Sequence, residues 1–134
     1  MIQCKSSGEP ATPEDGRRIL VDRLWPQDCP KDSLRLDDWL PDLAPSVVLQ
    51  NAFDTGALDF TRFSAAYRQA LTAQPAHWWA LLPSAETVTL TLVFTAKDPL
   101  QNHAVLLAQW LEDEIDRYGG SSSPACYRDE FPDY

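Results

Sequence analysis

Apolar and polar positions recur along this chain with periods that separate strands from helices. Residues 2–5 alternate as Ile-Gln-Cys-Lys and predict a first strand. Residues 6–16 hold Gly8, Pro10, Pro13 and Gly16 and read as a loop. Residues 18–24, Arg-Ile-Leu-Val-Asp-Arg-Leu, are rich in branched apolar types and predict a buried strand. Trp25-Pro26 ends it, because Pro26 cannot donate to a ladder. Residues 87–95, Thr-Val-Thr-Leu-Thr-Leu-Val-Phe-Thr, form the clearest strand pattern in the chain.

The intervening segment switches to a helical period. Residues 27–46 are irregular, and Pro30, Pro41 and Pro45 leave room for a short helical piece over 36–40. Ser46 suits the N-cap of a helix over 47–53, closed by Asp54-Thr55-Gly56. Asp59 caps a helix over 60–73, with Phe60, Phe63, Tyr67 and Leu71 on its buried face. Pro75 fits a first helical position ahead of a short aromatic helix over 77–82. Asp98-Pro99 predicts an N-cap followed by proline, opening a helix over 100–117. Leu100, Ala104, Leu107, Leu111 and Ile115 form its stripe, and Val105, Leu106 and Trp110 add apolar area on other faces.

A long helical crossover between the strands at 18–24 and 87–95 makes them parallel. The predicted fold class is α/β: a small, largely parallel sheet of about three strands flanked by helices. It forms one compact domain over 1–117, followed by a linker and tail over 118–134. Gly119-Gly120-Ser121-Ser122-Ser123-Pro124 reads as the flexible linker. The tail is acidic and aromatic, and Tyr127, Phe131 and Tyr134 favour its docking onto the domain. A length of 134 residues leaves no room for a second domain.

Charge narrows the partners. Eleven basic and 20 acidic residues give a net charge of −9. This argues against nucleic acid, whose affinity comes largely from neutralised phosphates, and against anionic membranes. No apolar run reaches membrane-spanning length, and the first residues lack an apolar signal region, so a cytoplasmic location is expected. Cys4, Cys29 and Cys126 are odd in number and widely spaced, and no Cys-x-x-Cys pair occurs. Free thiols are expected, with Cys4 a small hydrophobe in a strand. Neither a metal nor a cofactor is expected: zinc spacing with His77 and His103 is lacking, and so is a glycine-rich phosphate loop. The expected state is a monomer or weak homodimer.

Parallel strands bring two loops to one sheet edge, where ligands of open α/β sheets bind. One loop carries Arg23, Trp25 and Pro26; the other carries Lys97, Asp98, Asn102 and His103. The second runs into a helix N-terminus, which favours anions. The candidate site therefore has Arg23, Trp25, Lys97 and Asn102 as ligand-binding residues and His103 as proton carrier. Each also has a purely structural reading. Arg23 would pair with Asp22 or Asp37, Trp25 and Trp39 would be core aromatics, and His103 would be a hydrogen-bonded structural histidine. His77 reads as surface or packing. Asp37-Asp38 reads as an acid pair at a helix N-terminus.

The block Asp15-Gly16-Arg17-Arg18-Ile19-Leu20-Val21-Asp22-Arg23-Leu24-Trp25-Pro26 resembles the opening motif of the YeaO-like proteins, small bacterial proteins with a domain of unknown function. Leu36-Asp37-Asp38-Trp39, Leu43-Ala44-Pro45-Ser46, residues 60–67, Phe94-Thr95-Ala96-Lys97-Asp98 and Gln101-Asn102-His103-Ala104 fit the same pattern, collinearly from about residue 2 to 111. The resemblance implies a compact α/β domain with a small parallel sheet and no established activity. Longer relatives of the broader group carry cysteine near Thr95 and Cys-His-Arg in place of Asn102-His103-Ala104, a pattern similar to an anion or thiol site. Both cysteines and the arginine are absent here. Nearer relatives continue Trp-Pro-Arg-Gly where this chain has Trp25-Pro26-Gln27-Asp28, and lysine is common where Pro41 stands. The tail after Arg117 lies outside the family pattern.

Two functional classes emerge. The first is a domain binding a small anionic metabolite at the ends of the two strands, with an enzymatic role left open. The second is a non-catalytic protein-interaction module that uses the acidic aromatic tail.

Overall fold

The computed structural model describes residues 2–25, 35–98 and 100–119. Four strands form one sheet: β1 (Ile2–Ser6), β2 (Arg17–Leu20), β3 (Asp38–Trp39) and β4 (Leu90–Phe94). Their order is β1-β4-β2-β3 and every pairing is parallel. Among the described residues, four α-helices accompany them: α1 (Val47–Asp54), α2 (Phe60–Ala73), α3 (Leu81–Thr87) and α4 (His103–Glu114). The expected α/β class with a parallel sheet is the observed one, with β3 as an additional strand.

Strand alternation divides the sheet chemically. Ile19, Val21, Leu90, Leu92 and Phe94 point to one face and join a core with Phe63, Tyr67, Leu107 and Leu111. The opposite face carries Gln3, Thr91 and Arg18, which the register sets side by side across three strands. The loop after β1 folds over this row and buries Asp15 on it. The Asp15 carboxylate accepts from Lys5 Nζ at 2.8 Å, Arg18 Nη1 at 2.6 Å and Gln3 Nε2 at 3.0 Å. It also accepts from the Thr12 amide and hydroxyl, while the Asp15 carbonyl takes the Thr91 hydroxyl at 2.7 Å. Burial pushes the Asp15 pKa up, but hydrogen bonds from Lys5, Thr12 and Arg18 outweigh it and hold the carboxyl well below the usual range.

The helix caps follow the sequence. Ser46 accepts from the Leu49 amide and Asp59 from the Arg62 amide. Phe63, Tyr67 and Leu71 of α2 are buried as expected. Tyr67 donates to the Leu43 carbonyl, and burial keeps its phenol above the ordinary tyrosine range.

Several boundaries differ from the expectation. Residues 36–40 are not helical. Asp37 accepts the Arg18 amide at 2.8 Å and Asp38 pairs with Arg17, so the acid pair fastens β3 onto β2. The strand expected over 18–24 leaves the sheet after Val21, whose amide still bonds Val93, because Asp22 turns toward Thr95. The strand expected over 87–95 begins at Leu90, since Thr87 belongs to α3. In the aromatic segment, Pro75–His77 forms a single 3₁₀ turn and the α-helix starts at Leu81. Trp78 there is buried, with its Nε1 donating to Leu71, whereas His77 is exposed.

The last helix starts later than expected. Asn102 is its N-cap and accepts from the Val105 amide. Asp98 instead caps a local turn, accepting from the Leu100 and Gln101 amides. Leu100 therefore falls outside the buried stripe and is 76% exposed. Beyond Glu114 the chain widens into a π turn over Ile115–Gly119. The tail aromatics, Cys29, Cys126 and Gln27-Asp28 lie outside the described residues. No described helix is long and apolar enough to cross a membrane.

The loop that closes the polar face ties stability to pH through Asp15. An unfolded Asp titrates near pH ~3.9, and the folded Asp15 lies below that. Its contribution to stability is therefore complete above that pH and is lost as pH falls toward the folded pKa. Denaturant unfolding between about pH 2 and 7 should show a steeper acid-side loss for the wild type than for Asp15→Asn. The variant should also be weaker at pH 7 by ~3–5 kcal/mol, because Lys5 and Arg18 lose their shared anion. Gly16 has φ +63°, and a Cβ there would lie 2.2 Å from the Thr89 carbonyl oxygen. Gly16→Ala should lower stability by more than about 1 kcal/mol in the same measurement.

Candidate functional site

Parallel β2 and β4 end on the same edge of the sheet, and the loops that leave them face α1 and the start of α4. Between them lies a cleft of about 570 Å³. Arg23, Lys97, Asn102 and His103 all line it. Trp25 does not. Its ring stands edge-on to Trp39 at 5.7 Å, and Trp39 is itself exposed rather than a core aromatic.

A residue that sequence reasoning assigned no site role organises the edge. Asp22 follows the buried run Ile19-Leu20-Val21, and its carboxylate reaches across to the loop after β4. Its Oδ2 accepts the Thr95 amide at 3.0 Å and also the Thr95 hydroxyl. Its Oδ1 lies 3.3 Å from His103 Nε2. That nitrogen makes its shorter contact, 2.9 Å, with the Val21 carbonyl. A carbonyl only accepts, so Nε2 carries the hydrogen and donates. Asp22 Oδ1 is buried without a hydrogen-bond partner, and the His103 N–H beside it is directed to the Val21 carbonyl. The signal for Asp22 in the sequence is a lone carboxylate ending an apolar strand.

The remaining side chains divide between charge and apolar wall. Arg23 is exposed, and its Nη2 donates to the Pro45 carbonyl at 3.2 Å. The expected ion pair with Asp22 or Asp37 is not found among the described residues. Lys97 is also exposed and has no carboxylate partner among them. The three carboxylates of the cleft are held locally: Asp22 by Thr95, Asp98 by two amides, and Asp54 by Gln50 Nε2 at 2.9 Å. Asn102 fixes the loop at both ends, donating to the Asp98 carbonyl while capping α4. Phe53 and Phe63, stacked at 4.4 Å, form the apolar wall with Val47 and Ala44.

Cys4 is the one cysteine among the described residues, and it is unreactive. Cys4 Sγ faces the Ala104 carbonyl at 3.4 Å. Burial, reinforced by the Glu112 charge, pushes its pKa up to about 11, so the nucleophilic thiolate is scarce at neutral pH. No group of three metal-ligating side chains occurs among the described residues.

Removing the Asp22 carboxylate should therefore disturb the edge directly. Asp22→Ala removes the acceptor of both Thr95 donors, which are exposed and open to water, and should cost about 0.5–1.5 kcal/mol in chemical denaturation. Asp22→Asn, which keeps an acceptor, should lose less.

Sequence comparison places the chain among known proteins. The chain is 42% identical over 110 residues to the uncharacterized protein YeaO of Escherichia coli, covering 82% of this chain and 96% of that one. It is 34% identical over 107 residues to uncharacterized proteins of Mycobacterium bovis and Mycobacterium tuberculosis, covering 77% of this chain and 86% of each relative. No solved structure matches significantly. The family model described as "Inactive DUF488-N3 subclade" matches residues 1–128, which runs past the Arg117 limit expected for the family pattern. On these matches, the chain belongs to the YeaO-like family, in the branch described as the inactive DUF488-N3 subclade.

Proposed function

We propose that the protein binds a small anionic metabolite in the cleft at the ends of β2 and β4. The observation that carries this reading is that Arg23 and Lys97, from two loops distant in sequence, line one cleft without a carboxylate partner among the described residues. Both side chains are exposed, so a ligand meets their charge without first breaking an ion pair. The cleft volume is in the range of small-molecule sites. Asn102 and Asp22 keep the loops rigid, which lowers the ordering cost of binding.

Binding without turnover fits these residues better than catalysis. A proton carrier needs a nitrogen free to exchange its proton with the ligand. His103 Nε2 instead holds the Val21 carbonyl and leans on Asp22, so His103 acts as part of the wall. The family's description as inactive points the same way.

A thermal-shift screen of carboxylate and phosphorylated metabolites at constant ionic strength tests the reading. A bound anion raises stability by about RT ln(1 + [L]/Kd). The wild type should show the rise and Lys97→Ala should lose it. The variant itself should unfold within about 0.5 kcal/mol of wild type, because Lys97 is exposed. An equal rise in both proteins would remove Lys97, and this cleft, from the reading.

A further inference from the structure

The same cleft discriminates among anions. We infer that its ligand is an apolar monocarboxylate, an acid with one anionic group on an aromatic or branched aliphatic body, and not a phosphorylated metabolite. This inference rests on the cleft being an anion site at all.

Charge is the first argument. Two permanent cations, Arg23 and Lys97, face three carboxylates, Asp22, Asp54 and Asp98, around one cleft. Hydrogen bonds hold those acids in place but do not remove their charge. A phosphate dianion doubles the attraction to the cations and the repulsion from the acids alike, but its desolvation cost grows as the square of its charge, which favours a single carboxylate.

The backbone gives the second argument. Phosphate sites present several free amides from a glycine-rich turn at a helix N-terminus. Here residues 95–102 contain no glycine. Four amides of this loop and first helical turn are already used: Thr95 by Asp22, Leu100 and Gln101 by Asp98, and Val105 by Asn102.

The wall and rim give the third. Phe53 and Phe63 stack against each other beside the charged end. At the rim, Leu24 is 77% exposed and Val47 is 57% exposed, and both line the cleft. Apolar side chains held open next to two cations match a ligand that is apolar at one end and anionic at the other. Covering Leu24 and Val47 would add hydrophobic stabilisation that a sugar phosphate cannot supply.

Thermal shift and titration calorimetry on the full chain, at constant ionic strength, separate the possibilities with three probes. They are 3-phenylpropionate, its uncharged amide 3-phenylpropanamide, and glucose 6-phosphate. The expected result is a rise in Tm with 3-phenylpropionate and none with the other two. Lys97→Ala should weaken 3-phenylpropionate roughly tenfold or more, as for a lost charge-assisted contact. Val47→Asp, at an exposed position, should weaken it as well while leaving the unliganded Tm near wild type. A rise with glucose 6-phosphate alone would overturn the monocarboxylate and leave the anion cleft standing. An equal rise with the amide would overturn the need for charge. No rise with any probe would overturn both this inference and the anion cleft.

Discussion

A buried carboxylate under a surface loop closes the polar side of this sheet. Asp15 takes five donors from four residues, two of them on the cationic side chains Lys5 and Arg18. Parallel sheets ordinarily bury both faces in apolar side chains. Here the row Gln3-Thr91-Arg18 is polar, and it is closed by ion pairs and hydrogen bonds instead. Such a network tolerates little displacement, since each donor left unpaired in a buried place is costly. The loop that supplies Asp15 also supplies Gly16, pressed against the Thr89 carbonyl, so the entry to β2 is set from two directions.

The candidate site depends on that frame from the far end of the same strands. β2 and β4 lie side by side in register, and both loops leave at one edge. Asp22 then ties one loop to the other through Thr95, and His103 ties the start of α4 to the end of β2. Two loops otherwise joined by a long helical excursion thus behave as one rim. The rim is rigid where hydrogen bonds close it and open where Arg23, Lys97 and Leu24 stand exposed.

Local signals in the sequence were legible where a single residue completes the local bond. Ser46 and Asp59 cap their helices because each oxygen reaches an amide three residues on. The parallel relation of the two central strands was also legible, and it placed Arg23, Lys97, Asn102 and His103 together. What was not legible depends on distant partners. Asp37 and Asp38 look like helix-opening acids until Arg17 and Arg18 are placed beside them. Asp98-Pro99 has the form of a cap and first turn, yet Asn102 is extended and restarts the chain for α4. Phe63 was readable as a buried residue, but its stacking on Phe53 at the cleft depends on how α1 and α2 dock.

The strand order has a consequence for how the chain is made. β1 has β4 as its ladder partner, 88 residues downstream, and β4 also separates β1 from β2. The last strand to be synthesised is therefore the one in the middle. At about 5–20 residues per second, β1 waits roughly 4 to 18 s for its partner. Its composition suits that interval: Ile2-Gln3-Cys4-Lys5-Ser6 interleaves polar side chains and a cation, which discourages pairing with strangers. A chain interrupted before β4 is thus missing the keystone of its sheet, however complete its amino-terminal half.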